Sequence, residues 1–342
     1  MSKNAFEQEE TLLEWPPPRP KIEFIPGKFK FIDLFAGVGG MRLGFEAAGG
    51  ECVFTSEWDK DCQKTYEANF GDKPDGDITK VDEKSIPDFD VLLAGFPCQP
   101  FSSIGQRQGF KHETQGTLFY DVLRIIQHKK PKSFLLENVV GLLTHDKGRT
   151  FKVIEKSLSA EGYDLHYKVL DSSDYGVPQV RKRIYIIGFK KELFKEDPIF
   201  YWPVPKKTKV GIGKFVEKDA VGYEISKRLQ ESYIYKFDDG RPQVINQNSD
   251  IQVKTLVASY HKIQRLTGTF VSDGKTGLRL LTENECKAIM GFPKSFKIPV
   301  SRTQMYRQMG NSVAVPVIRE IAKEMITTLL AAKLIKAQKQ SA

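Results

Sequence analysis

Cysteine is scarce in this chain, and the four present make no pattern. Cys52, Cys62, Cys98 and Cys286 show neither Cys-x-x-Cys nor Cys/His spacing. That leaves no signature for a metal site and none for a disulfide framework. A reducing cytoplasm is the default expectation. Long apolar runs are missing too. None approaches the roughly 18 residues that would span a bilayer, so no membrane partner is expected. Met1–Phe6 followed by acidic residues offers no signal-peptide core. Internal repeats are absent. An excess of acid is absent as well: 52 Lys and Arg face 43 Asp and Glu, a formal charge of +9. A basic balance points to a polyanionic partner, nucleic acid first. The charge is uneven: residues 7–10 are acidic, while 179–183, 206–209 and 333–339 are rich in Lys and Arg.

What is present is the texture of a large α/β protein. Residues 1–28 hold the proline cluster Trp15-Pro16-Pro17-Pro18-Arg19-Pro20, which favours extended polyproline II and reads as an arm. From Phe29 onward, apolar strands alternate with helical patterns. Phe29–Leu34, Cys52–Thr55, Val91–Ala94, Ser133–Leu136, Leu165–Leu170 and Ile184–Phe189 read as strands. Leu118, Phe119, Val122, Ile125 and Ile126 share one helical face, as do Phe151, Ile154 and Leu158. This alternation predicts a sheet covered on both sides. Residues 195–278 change character, with scattered Gly, Pro, Asn and Asp and turn signals at Asp238-Asp239-Gly240 and Ser272-Asp273-Gly274. They predict a smaller, loop-rich unit, placed at 195–299. The regular pattern then returns. Ile318, Ile321, Ala322, Met325, Ile326, Leu329 and Leu330 form a strong stripe that must pack on the first unit, taken as 29–194 completed by 300–335.

Two segments carry chemistry. Leu92–Ser102 runs an apolar strand into a loop framed by Gly95, Pro97 and Pro100, with Cys98 inside it. Glycine permits a sharp turn and proline stiffens it, so the thiol is placed for nucleophilic attack. For Cys98 alone, a buried inert cysteine is an equal reading. Asp33-Leu34-Phe35-Ala36-Gly37-Val38-Gly39-Gly40 joins a strand to a helix, where free N–H groups and bare glycines let a ligand approach. The dinucleotide fingerprint fails, because its third glycine falls on Arg42. With Asp33 before the turn and Glu57 after the next strand, a nucleoside ligand is indicated instead. Glu57 would accept from ribose hydroxyls. Trp58 would stack on adenine. Asp77-Ile78, at the end of an expected third strand, would meet the adenine edge. The bland alternative for the glycines is a tight strand–helix connection.

Taken together and in order, these segments resemble the DNA (cytosine-5)-methyltransferase family. Phe31–Gly40 is similar to its S-adenosylmethionine motif, Gly95–Ser102 to its nucleophile loop and Glu137-Asn138-Val139 to its Glu-Asn-Val motif. Gln179-Val180-Arg181-Lys182-Arg183 resembles its Gln-x-Arg-x-Arg motif. Gln308–Val313 resembles the last motif, which returns to the cofactor pocket. The resemblance covers about 29–335. It implies a Rossmann-like, S-adenosylmethionine-dependent domain with a smaller target-recognition domain. Cys98, Glu137, Arg181 and Arg183 would be the catalytic set. Asp33, Phe35, Gly37, Gly39, Gly40, Glu57, Trp58, Asp77, Ile78, Pro97, Asn311 and Ser312 would line the cofactor site. Double-stranded DNA is the implied partner, with a restriction endonuclease as functional counterpart and a monomer as the working state. No metal is implied. Thr255-Leu256-Val257, Tyr260–Thr269 and Ser301–Tyr306 are similar to the MspI-type branch, which implies CCGG methylated at the outer cytosine.

Within that frame Cys98 would add to cytosine C6 and Glu137 would hold or protonate N3. Arg181 would bond the base O2 and steady the cysteine loop. Arg183 would support the loop and a phosphate, with structural ion-pairing as its rival role. Ser102 and the loop to Lys111 would grip phosphates while the base is flipped out. Thr255, Gln264 and Arg265 are the candidates for DNA contact. Three other readings compete. A tRNA cytosine methyltransferase is disfavoured by the large variable region. An inactive DNA-binding relative is disfavoured because Cys98, Glu137 and Arg181 are all present. A nicotinamide enzyme is disfavoured by Arg42.

Overall fold

The computed structural model describes residues 23–97 and 118–338. Cys98 and Ser102 therefore lie outside the described residues, as do the loop to Lys111 and most of the N-terminal arm. The first unit is built on β1 (Gly27–Leu34), β2 (Gly50–Ser56), β3 (Val91–Ala94), β4 (Ser133–Val139), β5 (Tyr163–Asp171) and β6 (Lys182–Lys190). Their order is β2-β1-β3-β4-β6-β5. The strands from β1 to β4 are parallel, and β6 enters antiparallel to both β4 and β5. Parallel strands buried on both faces read as unbroken apolar runs, which is why Val-Leu-Leu-Ala at β3 is wholly buried.

Alternation along each strand feeds two cores. Phe29, Phe31, Leu93, Leu135, Ile187 and Phe189 face one side. There they meet helices α1 (Gly40–Glu46) and α7 (Val315–Ala331). Ile318, Ile321, Met325, Ile326 and Leu329 of α7 enter this core, as the stripe requires. Ile32, Leu34, Leu92, Phe134, Leu136 and Ile184 face the other side. They meet α3 (Phe119–Lys129) and α4 (Arg149–Ala160). Helix α2 (Lys60–Phe70) follows β2, with Asp59 capping its N-terminus.

A third core belongs to the irregular region. It gathers Ile212, Ile225, Ile245, Leu256, Tyr260, Phe270 and Leu281 with residues of α5 (Glu283–Met290) and α6 (Arg302–Asn311). Its only strands among the described residues are β7 (Gln243–Ile245) and β8 (Thr269–Val271), paired in parallel. Arg279 is fully buried here and is neutralised by Glu285 at 2.8 Å and Asp273 at 3.0 Å. Met305, Tyr306 and Met309 join this core although they precede the last helix. Val38 of the glycine turn joins it as well, so the two units meet at the turn itself. A two-residue strand, β9 (Lys336–Ala337), pairs antiparallel with β1. Among the described residues no helix is long and apolar enough to cross a membrane.

Candidate active site

The sheet order reverses between β1 and β3, and the carboxyl ends of β1, β3 and β4 open there into one cleft. In open α/β sheets such a switch point is where ligands bind. The cleft is lined by Asp33, Phe35–Val38, Gly40 and Met41, by Cys62, Gly95 and Glu137, and by Gln308 and Asn311–Val313. Leaving β1, the chain turns through left-handed backbone at Phe35 (φ 55°), Gly37 (φ 56°) and Gly39 (φ 85°). A Cβ on Gly37 would meet nothing within 4 Å, so this backbone faces open space. A Cβ on Gly40 would come within 2.9 Å of the Ser312 hydroxyl and a Val313 methyl, so the last motif lies directly against the turn.

Glu57, buried at the tip of β2, secures the turn from the other side. One of its oxygens accepts the Gly37 N–H at 2.8 Å and the other accepts the Asp59 N–H at 2.8 Å. Burial raises its pKa above the ordinary carboxylate value. Beside it Trp58 is 76% exposed, an indole open to stacking. Asp77 and Ile78 correct the sequence reading: they start the 3₁₀ turn Ile78–Lys80 and do not end a strand. Asp77 caps that turn by accepting from the Thr79 N–H and hydroxyl. The third strand is Val91–Ala94. What runs beside β2 at this point is a single bridge, Ser56 to Asp75. Arg42, where a dinucleotide fingerprint would need glycine, is turned onto α2. It pairs with Asp72 at 2.8 Å and lies 4.3 Å above the Phe70 ring.

The polar groups of the cleft fit a ligand such as S-adenosylmethionine. Asp33 Oδ2 and Gln308 Nε2 are both buried and lack a hydrogen-bond partner among the described residues. Both belong to residues that wall the same cleft. Burial pushes the Asp33 carboxyl up to about 8, against the pull of Arg42. An unpaired buried carboxyl and amide are costly unless something with opposite complement sits between them.

Glu137 ends the apolar part of β4. In the antiparallel register it opposes Tyr185, which puts Arg183 in the diagonal position on the same face. Arg183 Nε lies 3.1 Å from Glu137 Oε1. Burial raises the Glu137 pKa, while Arg183 and Arg181 pull it down. A Cβ on Gly95 would sit 3.8 Å from Glu137 Oε2, so the carboxyl lies beside the end of β3. Sequence reasoning left Asn138 without a task. The structure gives it one: it is 3% exposed and donates to the Phe96 carbonyl at 2.9 Å, fixing the chain just before Pro97. Its sequence signals are its place in the Glu-Asn-Val motif and an amide inside an apolar strand.

Arg181 is buried and serves backbone. Its terminal nitrogens donate to the carbonyls of Leu256 (3.1 Å), Gly310 (3.0 Å) and Ser312 (2.6 Å). Only Nε is left unpartnered among the described residues. Burial, with Arg183 nearby, lowers its pKa to about 10. Gln179 works beside it, donating to Ile289 O at 2.9 Å and accepting from Leu256 N at 2.7 Å. Thr255 donates to Val180 O at 2.7 Å and lines a second, shallow cleft with Gln252–Lys254, Val257, Leu266 and Thr267.

The DNA-contact candidates divide. Gln264 is exposed and its oxygen accepts from Thr267 at 3.0 Å, which leaves its amide nitrogen without a described partner. Arg265 corrects the expectation. It is 5% exposed. Its guanidinium binds Asp239, Ile234 O at 2.9 Å and Phe237 O at 2.9 Å. Each of its three nitrogens bonds within the 234–239 segment, so the guanidinium ties that segment down. Tyr260, in the same candidate segment, is core: its hydroxyl donates to Thr269 O at 2.5 Å and accepts from Leu281 N at 3.0 Å.

Comparison with known proteins agrees with this arrangement. The family model for C-5 cytosine-specific DNA methylase matches residues 29–327. The Type II methyltransferase M.BsuFI of Bacillus subtilis is 60% identical over 307 residues, covering 90% of this chain and 75% of the relative. The Type II methyltransferase M.MspI of a Moraxella species is 57% identical over 301 residues, covering 88% and 71%. Among solved structures, a DNMT2 mutant of Spodoptera frugiperda superposes with a TM-score of 0.71 at 23% identity, over 88% of this chain and 99% of that one. The Dnmt2 methyltransferase of S. pombe gives 0.71 at 21% identity, over 89% and 99%. These last two show the fold alone. With a family model over most of its length and two relatives near 60% identity, the chain belongs to the C-5 cytosine-specific DNA methylases, which take their methyl group from S-adenosylmethionine.

Proposed function

We propose that this enzyme methylates the outer cytosine of CCGG in duplex DNA and so protects that site in a restriction-modification pair. The observation that carries the chemistry is Glu137. It is a buried carboxyl with a raised pKa, tied to Arg183 and set beside the strand end that leads through Pro97 into Cys98. Cytosine C5 is a poor nucleophile. A thiolate added to C6 makes the ring an enamine, and C5 then attacks an electrophilic carbon. Cys98 supplies that thiolate. Glu137 gives or shares a proton at N3, drawing charge out of the ring as the thiol adds. S-adenosylmethionine, when bound, supplies an electrophilic methyl on a sulfonium. Loss of the C5 proton then allows the Cys98 sulfur to leave. Asp33, Phe35, Gly37, Glu57, Trp58, Asn311 and Ser312 would hold the cofactor.

A base inside a stacked duplex cannot meet these groups, so the cytosine must be flipped out at a cost of a few kcal/mol. Residues 195–299 are proposed as the unit that chooses the site, with Thr255 and Gln264 as its accessible polar groups. The similarity of Tyr260–Thr269 and Ser301–Tyr306 to the MspI-type branch supports CCGG. The chain would work as a monomer beside its nuclease, without a stable complex. Bisulfite sequencing of plasmid DNA from cells expressing the protein tests both parts. Wild type should mark the outer cytosine of CCGG. Cys98→Ser should leave the plasmid unmarked while the purified variant still binds DNA. Marks spread over unrelated sites would reject CCGG, and a marked plasmid with the serine variant would reject Cys98.

A further inference from the structure

We infer that Arg124 is a positioning residue for the adenine of the cofactor, fixing the Asp77–Ile78 backbone as the edge that reads the base. This deepens the cofactor reading above and rests on it. Arg124 stands on α3, and its guanidinium serves three acceptors. Nε donates to Asp121 at 3.1 Å within the helix, Nη1 to Glu83 at 2.6 Å and Nη2 to the Ile78 carbonyl at 2.6 Å. That carbonyl also accepts the Val81 N–H at 3.1 Å. The planar fork of an arginine fixes direction as well as distance. A second clamp comes from the other side. Ser56, 2% exposed at the end of β2, donates its hydroxyl to Gly76 O at 2.8 Å. Gly76 and Ile78 flank Asp77, so the peptides on both sides of it are held, one from β2 and one from α3.

Position selects the part of the ligand. Glu57 N–H donates to Asp75 O, and Asp75 N–H donates to Thr55 O, both at 2.8 Å. Residues 75–78 therefore leave the tip of β2 beside Glu57 and the exposed Trp58, the nucleoside end. A base stacked on Trp58 turns its edge toward them. Adenine offers an acceptor at N1 and a donor at its C6 amine. The Ile78 N–H and the Asp77 carboxylate are the matching donor and acceptor. Such bonds favour binding most when the backbone is in place before the ligand arrives. Ile78 is 2% exposed, and its core packing holds the side chain but not the direction of its peptide. Arg124 holds the peptide.

Calorimetry with S-adenosylhomocysteine and S-inosylhomocysteine tests this without turnover. The two ligands differ only at the base edge, where hypoxanthine carries a C6 carbonyl and a proton on N1. Wild type should prefer the adenine ligand by about tenfold or more, because donor and acceptor are reversed at both positions. Arg124→Met should weaken S-adenosylhomocysteine by about tenfold and leave S-inosylhomocysteine within about twofold, so that the preference collapses. Arg124→Lys keeps the charge should the methionine variant not fold. One ammonium cannot serve Asp121, Glu83 and Ile78 in the same geometry, so its preference should lie between the two. Glu83→Gln is the control: it breaks the ion pair but leaves the bond to Ile78, and should melt earlier while keeping the wild-type preference. The inference is overturned by a wild-type preference in either Arg124 variant, by equal weakening of both ligands, or by a Glu83→Gln protein that loses the preference as fully as Arg124→Met. Wild type that binds both ligands alike would place the adenine edge elsewhere and overturn it too. Wild type that fails to bind S-adenosylhomocysteine would instead bring down the cofactor reading itself, and this inference with it.

Discussion

Asp33 is the residue whose surroundings make the sharpest demand. Its carboxyl is pushed from an ordinary 3.8 up to about 8, chiefly by burial. Arg42 opposes the shift, and Glu57 and Glu46 add to it. The folded chain therefore keeps a proton that the unfolded chain has lost between those values. Stability is fully retained below about pH 4 and declines as pH rises toward about 8. Asp33→Asn removes that titration while keeping a side-chain oxygen for the turn. The variant should lose less thermal stability than wild type between about pH 5 and about pH 8. Midpoints that fall in parallel for the two proteins would show that Asp33 is ionised in the fold. Arg265 makes a second demand. Because its guanidinium ties Asp239 and the carbonyls of Ile234 and Phe237, Arg265→Ala should lower the melting temperature. The sites that the surviving protein methylates should not change. Bisulfite maps with one relaxed position would instead return Arg265 to base reading.

At the scale of elements, the close approach of α6 to the turn at 257–258 depends on one glycine. A Cβ on Gly310 would lie 2.3 Å from Ala258 N and 2.4 Å from Val257 C. Both are backbone atoms, which cannot swing aside as a flexible side chain does. Gly310→Ala should cost about 1–3 kcal/mol or more by overpacking. Because α6 leads into Asn311 and Ser312, cofactor affinity should fall with it. Urea midpoints and calorimetric Kd values check the two effects, and an alanine variant with both unchanged would contradict this packing. Gly310 was legible only as part of a motif; its neighbour across the gap is more than 50 residues away in sequence. The same distinction runs through the fold. Val91–Ala94 appears where the apolar run places it, because a buried parallel strand announces itself in consecutive residues. β4 runs on through Glu137, Asn138 and Val139, since pairing with β6 continues after the apolar residues end. β7 and β8 are three residues each and pair across more than 20 residues, so no local pattern marks them. In the sequence Arg265 reads as a donor to a base edge and Arg181 as a donor to the O2 of the target base. Each is buried by carbonyls from distant segments, which a single chain of letters does not display.

For the molecule as a whole, the question is whether two units behave as one. They touch where Val38 enters the third core, where Val253 N donates to Pro178 O at 2.8 Å, and where Val180 N donates to Val253 O at 2.9 Å. Arg181 adds the densest contact, one side chain holding carbonyls from 256, 310 and 312. Removing it would leave three acceptors to find water, at about 1–3 kcal/mol for each that stays buried. Wild type should therefore melt in one cooperative step, with calorimetry and tryptophan fluorescence coincident. Of the described tryptophans, Trp58 is largely exposed and Trp202 packs on the first unit's core against Phe200. The fluorescence of the described tryptophans thus follows the first unit, and calorimetry follows both. In Arg181→Met the irregular unit should unfold first, giving a calorimetric transition at lower temperature that the fluorescence does not share. If the two signals of the variant still coincide, the backbone bridge through Val253 is enough to couple the units. Arg181 would then act within the first unit and its cofactor wall, not as the bolt between the two.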